Sequence, residues 1–275
     1  MFDGVINPGA PLAGGSVGPG VLVVNGDDWG RDRLTTDRIL ECSAVRAISS
    51  NSAMVFMEDS DRAAELARAH GIEAGLHLNF TTPFSARGCP TALLEREQRV
   101  ARYLLWHRFA QVVFHPGLMQ DFKYLVAVQL DEFSRLYGAA PERLDGHHHM
   151  HLCGNVRFQH LLPPGIIVRR NFSFRRHEAT LCNRLYRKVV DRSLARRYRL
   201  ADFFFSLSPP GPSGRLQRIY GLARRFVVEL ATHPACPEDS RYLAQGEIFR
   251  DIGDVRIGRP SAVLKWSGAR KGICR

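Results

Sequence analysis

The sequence predicts an α/β fold whose mostly parallel sheet closes, or nearly closes, into a TIM-like barrel. Short apolar runs alternate with amphipathic helical stretches, which is the pattern of β-α-β units. At least seven such runs follow one another, more than a small open sheet needs. No internal repeat and no linker-like stretch interrupts them, so residues 21–275 read as a single domain.

The elements follow in order. Residues 1–20, MFDGVINPGAPLAGGSVGPG, are rich in Gly and Pro and lack a basic stretch followed by an apolar one, so they read as a flexible arm and not as a signal peptide. VLVVN (21–25) is β-branched and apolar, a buried strand. Thr35 and Thr36 open a helix with Ile39, Leu40 and Val45 on one side. SAMVF (52–56) is a second strand. A helix over 59–70 is stopped by Gly71 as a left-handed cap. IEAGLHLNF (72–80) is a third strand. Residues 83–117 carry Pro83, Gly88, Pro90, Pro116 and Gly117 and read as an irregular insertion or lid. A long amphipathic helix spans 122–137 and ends at Gly138. RLDGHHHMHL (143–152), IIVRR (166–170), DFFFSL (202–207) and RFVVELATH (225–233) supply further strands, with a second insertion near 172–200.

Composition bounds the class. With 45% apolar and 24% charged residues the chain can build a substantial core. No apolar run reaches the ~20 residues of a membrane helix. Six cysteines are scattered with no C-x-x-C pair, which favours reduced thiols and, with the arm, a cytoplasmic protein. The net charge is +11, and residues 169–199 hold eleven Arg/Lys against Glu178 and Asp191. That segment is either a solvated helix face or the partner of something anionic: a phosphorylated or acidic substrate, a membrane surface or nucleic acid.

Four stretches can carry chemistry. In NGDDWG (25–30), Asp27 and Asp28 leave a buried strand together, where active sites of parallel α/β folds sit. One could hold a metal while the other acts as base, although an Asp-rich turn has the same composition. His77 lies near the end of an apolar strand, where a satisfied core histidine is the commoner case. In RLDGHHHMHL, four histidines fall within five residues. An extended backbone would set His147, His149 and His151 on one face and His148 on the other, with Asp145 or a neighbouring histidine fixing a ligating ring. His233-Pro234 ends a last apolar strand. In a barrel these strand ends converge on one mouth. One Asp and two His then make the set that leaves metal positions open for water and substrate.

NGDDWG, GLHLN, LDGHHHMHL and ELATHP, in this order, resemble the YdjC-like carbohydrate deacetylases, a family that includes chitooligosaccharide deacetylases. The resemblance runs over strand ends from about residue 21 to 240; residues 81–117 and 172–225 carry no shared motif. It implies a distorted (β/α) barrel and metal-dependent removal of N-acetyl groups from amino sugars. It assigns Asp28, His77 and His147 as ligands of one divalent ion and Asp27 as general base. His233 corresponds to a histidine that serves as acid or oxyanion stabiliser, and Arg169 to an arginine that orients a carboxylate or substrate. His149, His151, Trp29 and Asn79 are expected near substrate. The family usually has Ala where Gly26 stands, Phe where Trp29 stands and often Gly where Ala235 stands, changes that reshape a pocket without removing a ligand. Zn and Mg both suit such a site, and two histidines lean towards Zn.

The implied partner is an N-acetylated sugar, and the basic segment leaves room for an anionic, lipid-linked or nucleotide-linked one. Homo-oligomerisation stays open. Two rivals stand beside this reading. One is another metal hydrolase of the amidohydrolase or phosphoesterase type, although those place a His-x-His pair at the first strand, which here ends in Asp-Asp. The other is a basic protein binding nucleic acid or an anionic membrane through 169–199. That segment has amphipathic spacing at Leu181, Leu185, Val189 and Leu194, but no nucleic-acid-binding motif accompanies it.

Overall fold

In a computed structural model, which describes residues 20–106, 109–174, 178–208, 214–261 and 263, the first strand sets the frame. β1 (Val21–Trp29) meets two different interiors with its alternate residues. Leu22 and Val24 join the large core between sheet and helices, while Val21 and Val23 join a small cluster with Ile167, Ala201, Val227 and Val263. That division follows from the period of two in a strand. The chain continues through α1 (Arg33–Ala44), β2 (Ser50–Ala53), α2 (Ser60–His70), β3 (Ala74–Leu78), α3 (Thr91–Trp106) and α4 (Met119–Tyr137). β4 (Arg143–Gly146), α5 (Gly154–Phe158), β5 (Ile167–Val168), α6 (Leu181–Leu194) and β6 (Phe203–Ser206) follow. Last come α7 (Arg215–Ala223), β7 (Val227–Thr232), α8 (Pro237–Ala244) and α9 (Glu247–Ile252).

The seven strands form one parallel sheet in the order β5-β4-β3-β2-β1-β7-β6. The sheet curls into a distorted α/β barrel. Its two end strands approach through a bridge between Ile167 and Arg199 and through the Ser173 N–H, which donates to the Phe204 carbonyl at 2.9 Å. Because every strand is parallel, all carboxyl ends open on one mouth.

Three local expectations are corrected. Residues 83–117 are not irregular throughout: α3 occupies 91–106, with Leu93, Glu97, Val100 and Leu104 buried at helical spacing. Its flanking prolines and glycines mask that period. The first helix is opened by Asp32, whose carboxylate accepts the Thr35 N–H at 2.8 Å, and not by the threonines. RLDGHHHMHL is extended only over β4; residues 147–152 form a 3₁₀ turn in which His148 (φ 51°) and His149 (φ 60°) are left-handed. The shared face of His147, His149 and His151 therefore does not exist. The arm expected over 1–20 lies, apart from Gly20, outside the described residues.

Gly26, where the resembling family carries Ala, has a local reason. A Cβ there would meet Asn51 Oδ1 at 2.8 Å and Ile39 Cγ2 at 3.0 Å. Asn51 is fully buried, and neither of its amide atoms has a hydrogen-bond partner. Gly26→Ala should therefore cost ~1–3 kcal/mol by overpacking, read as a lower urea midpoint. Adding Asn51→Ala should return most of that loss; equal losses in the single and double variants would contradict the packing account.

Candidate metal and catalytic site

Asp28 is the point at which the first strand stops alternating. Its φ of 69° is left-handed, and the pairing of β1 with β2 shifts register between Gly26 and Trp29. This break lets the adjacent Asp27 and Asp28 both line the mouth, whereas Trp29 turns away into the main core. Asp28 Oδ2 accepts from Arg31 at 2.8 Å. Its Oδ1 lies 2.8 Å from His147 Nδ1 and 3.3 Å from His77 Nε2. Burial alone would push the Asp28 carboxyl up, but the His147 and His77 contacts hold it well below the usual carboxylate range.

His77 is fixed from behind, since its Nδ1 lies 2.7 Å from Asp145 Oδ1. An Nδ1–H donated there leaves Nε2 aimed at Asp28, the arrangement that orients metal-binding histidines. Burial disfavours the imidazolium, yet the Asp145 charge dominates and raises His77 to about 10. A cation at Nε2 would take the place of that proton.

Asp27 lies in a different setting. Arg169 grips it with two bonds, Nη1 to Oδ2 at 2.7 Å and Nη2 to Oδ1 at 2.8 Å, and Asn25 Nδ2 donates to Oδ1 at 2.6 Å. Oδ2 keeps a side facing His233, whose Nε2 is 3.7 Å away and whose side chain is half-exposed. Burial again raises the carboxyl, and Arg169 outweighs it, so Asp27 is held below its ordinary value.

A buried ion cluster supports both acids. Arg169 Nε donates to Glu229 Oε1 at 2.7 Å and its Nη2 pairs with Asp145 Oδ2 at 2.7 Å. Arg143 donates to Asp145 Oδ2 at 2.6 Å, Glu229 Oε1 at 2.8 Å and Ser52 Oγ at 3.0 Å. Arg143, Ser52, Asn25 and Glu229 were not among the expected site residues. A charged residue inside an apolar strand, as in VVELAT, was the signal for Glu229.

The mouth is a cavity of about 380 Å³ lined by Asp27, Asp28, Arg31, His77 and His233 together with residues 146–149. Of the residues expected near substrate, only His149 lines it. Arg169 is fully buried beneath the cavity, holding a carboxylate. His151 is fully buried, with Nε2 3.0 Å from the Arg169 carbonyl oxygen, and burial lowers it to about 4. Trp29 is a core residue. Asn79 is buried as a loop organiser, its Nδ2 donating to the Thr82 carbonyl at 2.6 Å and its Oδ1 accepting the Thr81 and Thr82 N–H groups. Arg169, His151, Trp29 and Asn79 do not line the cavity, because each already faces an interior partner or apolar packing.

Among the described residues, two groups could hold an ion: Asp28, His77 and His147, or Asp27, His77 and Asp145. The first fits better. Two imidazole nitrogens and a carboxylate oxygen converge there beside an open cavity, a donor set suited to a divalent transition ion. In the second, both carboxylates are already engaged by arginines, and a dication would sit against two guanidinium groups.

A parallel α/β barrel with an Asp/His₂ group and a second, arginine-held carboxylate at its mouth defines a candidate metal-hydrolase scaffold. The sequence model of the YdjC-like protein family matches residues 21–257, and the chain belongs to that family. Curated relatives agree with this placement over part of their length. A carbohydrate deacetylase of Danio rerio is 29% identical over 140 residues, covering 50% of this chain and 44% of the relative. A chitooligosaccharide deacetylase of Escherichia fergusonii is 30% identical over 133 residues, covering 48% and 50%. The matched stretch thus spans about half the length of these relatives. A crystal structure from Enterococcus faecalis V583, of a protein named for cellobiose-phosphate cleavage, has the same fold, with a TM-score of 0.59, 17% identity and coverage of 88% of this chain and 97% of that one.

Asp145→Asn removes the anionic partner of His77 while leaving all three donors in place. Affinity for Zn²⁺ should fall ~10–100-fold, measured by competition with a chromophoric chelator. Unchanged affinity would show that Asp145 does not orient His77.

Proposed function

We propose that the chain is a metal-dependent hydrolase that removes the N-acetyl group from an amino sugar, with Asp28, His77 and His147 as metal ligands and Asp27 as general base. The observation that carries this is the division of labour between neighbouring carboxylates. Asp28 shares one oxygen with two imidazoles, while Asp27 is kept out of that set by Arg169. The family relationship supports a carbohydrate amide as substrate, since matched relatives are named carbohydrate and chitooligosaccharide deacetylases.

A divalent ion, which Asp28, His77 and His147 would hold, would supply Lewis acidity and lower the pKa of water. The chain's own groups do the rest. Arg169 keeps Asp27 ionised at neutral pH, so Oδ2 is ready to accept a proton from the attacking water. Only Oδ2 suits this, because Oδ1 is already saturated by Arg169 and Asn25. His233 Nε2, beside Oδ2 and open to the cavity, can donate to the developing oxyanion or to the leaving amine. Asp239 steadies the start of that loop by accepting the His233 N–H at 2.8 Å. His149, which lines the cavity, is backed edge-on by Phe172 at 4.6 Å between centroids, and Phe172 stacks at 4.7 Å on the fully buried Phe204.

Two experiments test this. Asp28→Asn and His147→Ala should each lose bound metal and acetate release together, measured on one sample with N-acetylated sugars and oligomers. Full hydrolysis by either metal-free variant would end the proposal. Asp27→Asn should instead retain the metal and lose ~10²–10⁴-fold in kcat, the range of general-base catalysis.

The sign of the pH effect follows from Arg169. Asp27 is held below its ordinary value by that cation, so activity should persist until pH falls below the usual carboxylate range. Removing the cation raises Asp27. Arg169→Gln should therefore move the acid limb of kcat/KM to higher pH, with Arg169→Lys in between. An unmoved limb would mean that another group sets it.

A further inference from the structure

Helix α6 is apolar on two opposite sides, and only one of them is covered. Val190 and Leu194 face inward and are buried. Leu181, Leu185 and Val189 point the other way and are 73%, 60% and 57% exposed. Their spacing puts them on one ridge. Leu194, grouped with this set by spacing in the sequence, lies on the buried inner side. The ridge continues sideways, because Arg157 lies over the rings of Phe158 (5.3 Å) and Tyr186 (5.9 Å) and donates to the Tyr186 hydroxyl at 3.1 Å. Phe158 is itself exposed.

The surrounding charge has one sign. Lys188 and Arg192 are exposed beside the ridge, and Arg196, Arg197 and Arg199 follow the helix, also exposed. Among the described residues, no ion pair reaches Arg184, Lys188, Arg192, Arg196 or Arg197. The helix's single acid, Asp191, is turned inward onto Arg170 at 2.8 Å.

We propose that α6 docks this protein on an anionic lipid surface, with Leu181, Leu185 and Val189 inserted among the headgroups and the lysine and arginines on lipid phosphates. Interfacial helices combine these two features. Charge argues against a second copy of the chain, since pairing α6 with itself would oppose cation to cation. The exposed Leu/Val ridge argues against nucleic acid, whose phosphates give it no partner. The inner side of α6 packs towards the segment beside the candidate site: Arg187 lies 5.0 Å over the Phe174 ring, Phe174 lies 6.1 Å from Phe172, and Phe172 packs on His149. The docking does not depend on the proposed function.

The test is co-sedimentation of the full chain with phosphatidylcholine vesicles, with and without phosphatidylglycerol. Binding should require phosphatidylglycerol and weaken with salt. Leu185→Asp/Val189→Asp and, separately, Lys188→Glu/Arg192→Glu should each lower partitioning roughly tenfold or more. Both variants should keep the parent's thermal midpoint and its acetate release from a soluble N-acetylated sugar, and a parent without such release would fail the proposed function while leaving the docking result to stand. Equal sedimentation with both vesicles, or with neither, would overturn the docking. So would a dimer in light scattering that Leu185→Asp/Val189→Asp converts to monomer, or DNA-duplex binding lost only in the charge-reversed variant.

Discussion

Two arginines buried inside a barrel must be neutralised there, and that requirement shapes the whole mouth. Arg143 and Arg169 share Asp145 and Glu229, and Arg169 reaches on to Asp27. Removing one partner of such a buried set typically costs ~3–5 kcal/mol, because a charge is left without compensation. The cluster is therefore a rigid platform. It ties β1, β4 and β7 together across the interior and fixes the carboxylates above it. Below it, Val21, Val23 and Val227 plug the barrel with apolar side chains on the same strands. One alternation along β1 thus serves an apolar plug, an ion layer and then a reactive mouth.

The mouth adds backbone strain to this platform. Asp28, His148 and His149 are left-handed without being glycine. Each such residue costs roughly 1–2 kcal/mol, and strain of this kind persists where surrounding contacts over-determine it. Here the strain has an identifiable result. At Asp28 it brings neighbouring carboxylates to one cavity. At His148 and His149 it fans a histidine run in several directions: His147 to Asp28, His148 to Thr81, His149 to the Phe172 ring and His151 to the Arg169 carbonyl.

Much of this was legible in the sequence, for a physical reason. Parallel strands carry their polar residues at their carboxyl ends, so Asp27, Asp28, His77, His147 and His233 could be grouped by position before any distance was known. Gly71 ends its helix as the expected left-handed cap, and Gly138 ends the long helix where expected and is left-handed too. What was illegible depended on backbone geometry or on contacts between distant strands. Nothing local in RLDGHHHMHL shows that it leaves the extended state after Gly146. Trp29 beside two mouth residues looks like a mouth residue until the Asp28 turn sends it to the core. Arg143 and Ser52 acquire meaning only when distant strands are brought together, and the charge inside VVELAT marks Glu229 without naming its partners.

The central claim is that one ion belongs at Asp28, His77 and His147, with Asp27 set apart by Arg169. Anomalous diffraction from Zn²⁺-soaked crystals tests it most directly. The account predicts a single strong peak in contact with Asp28 Oδ1, His77 Nε2 and His147 Nδ1, with the Asp27–Arg169 pair intact. A peak between Asp27 and Asp145, with Arg169 displaced, would contradict it.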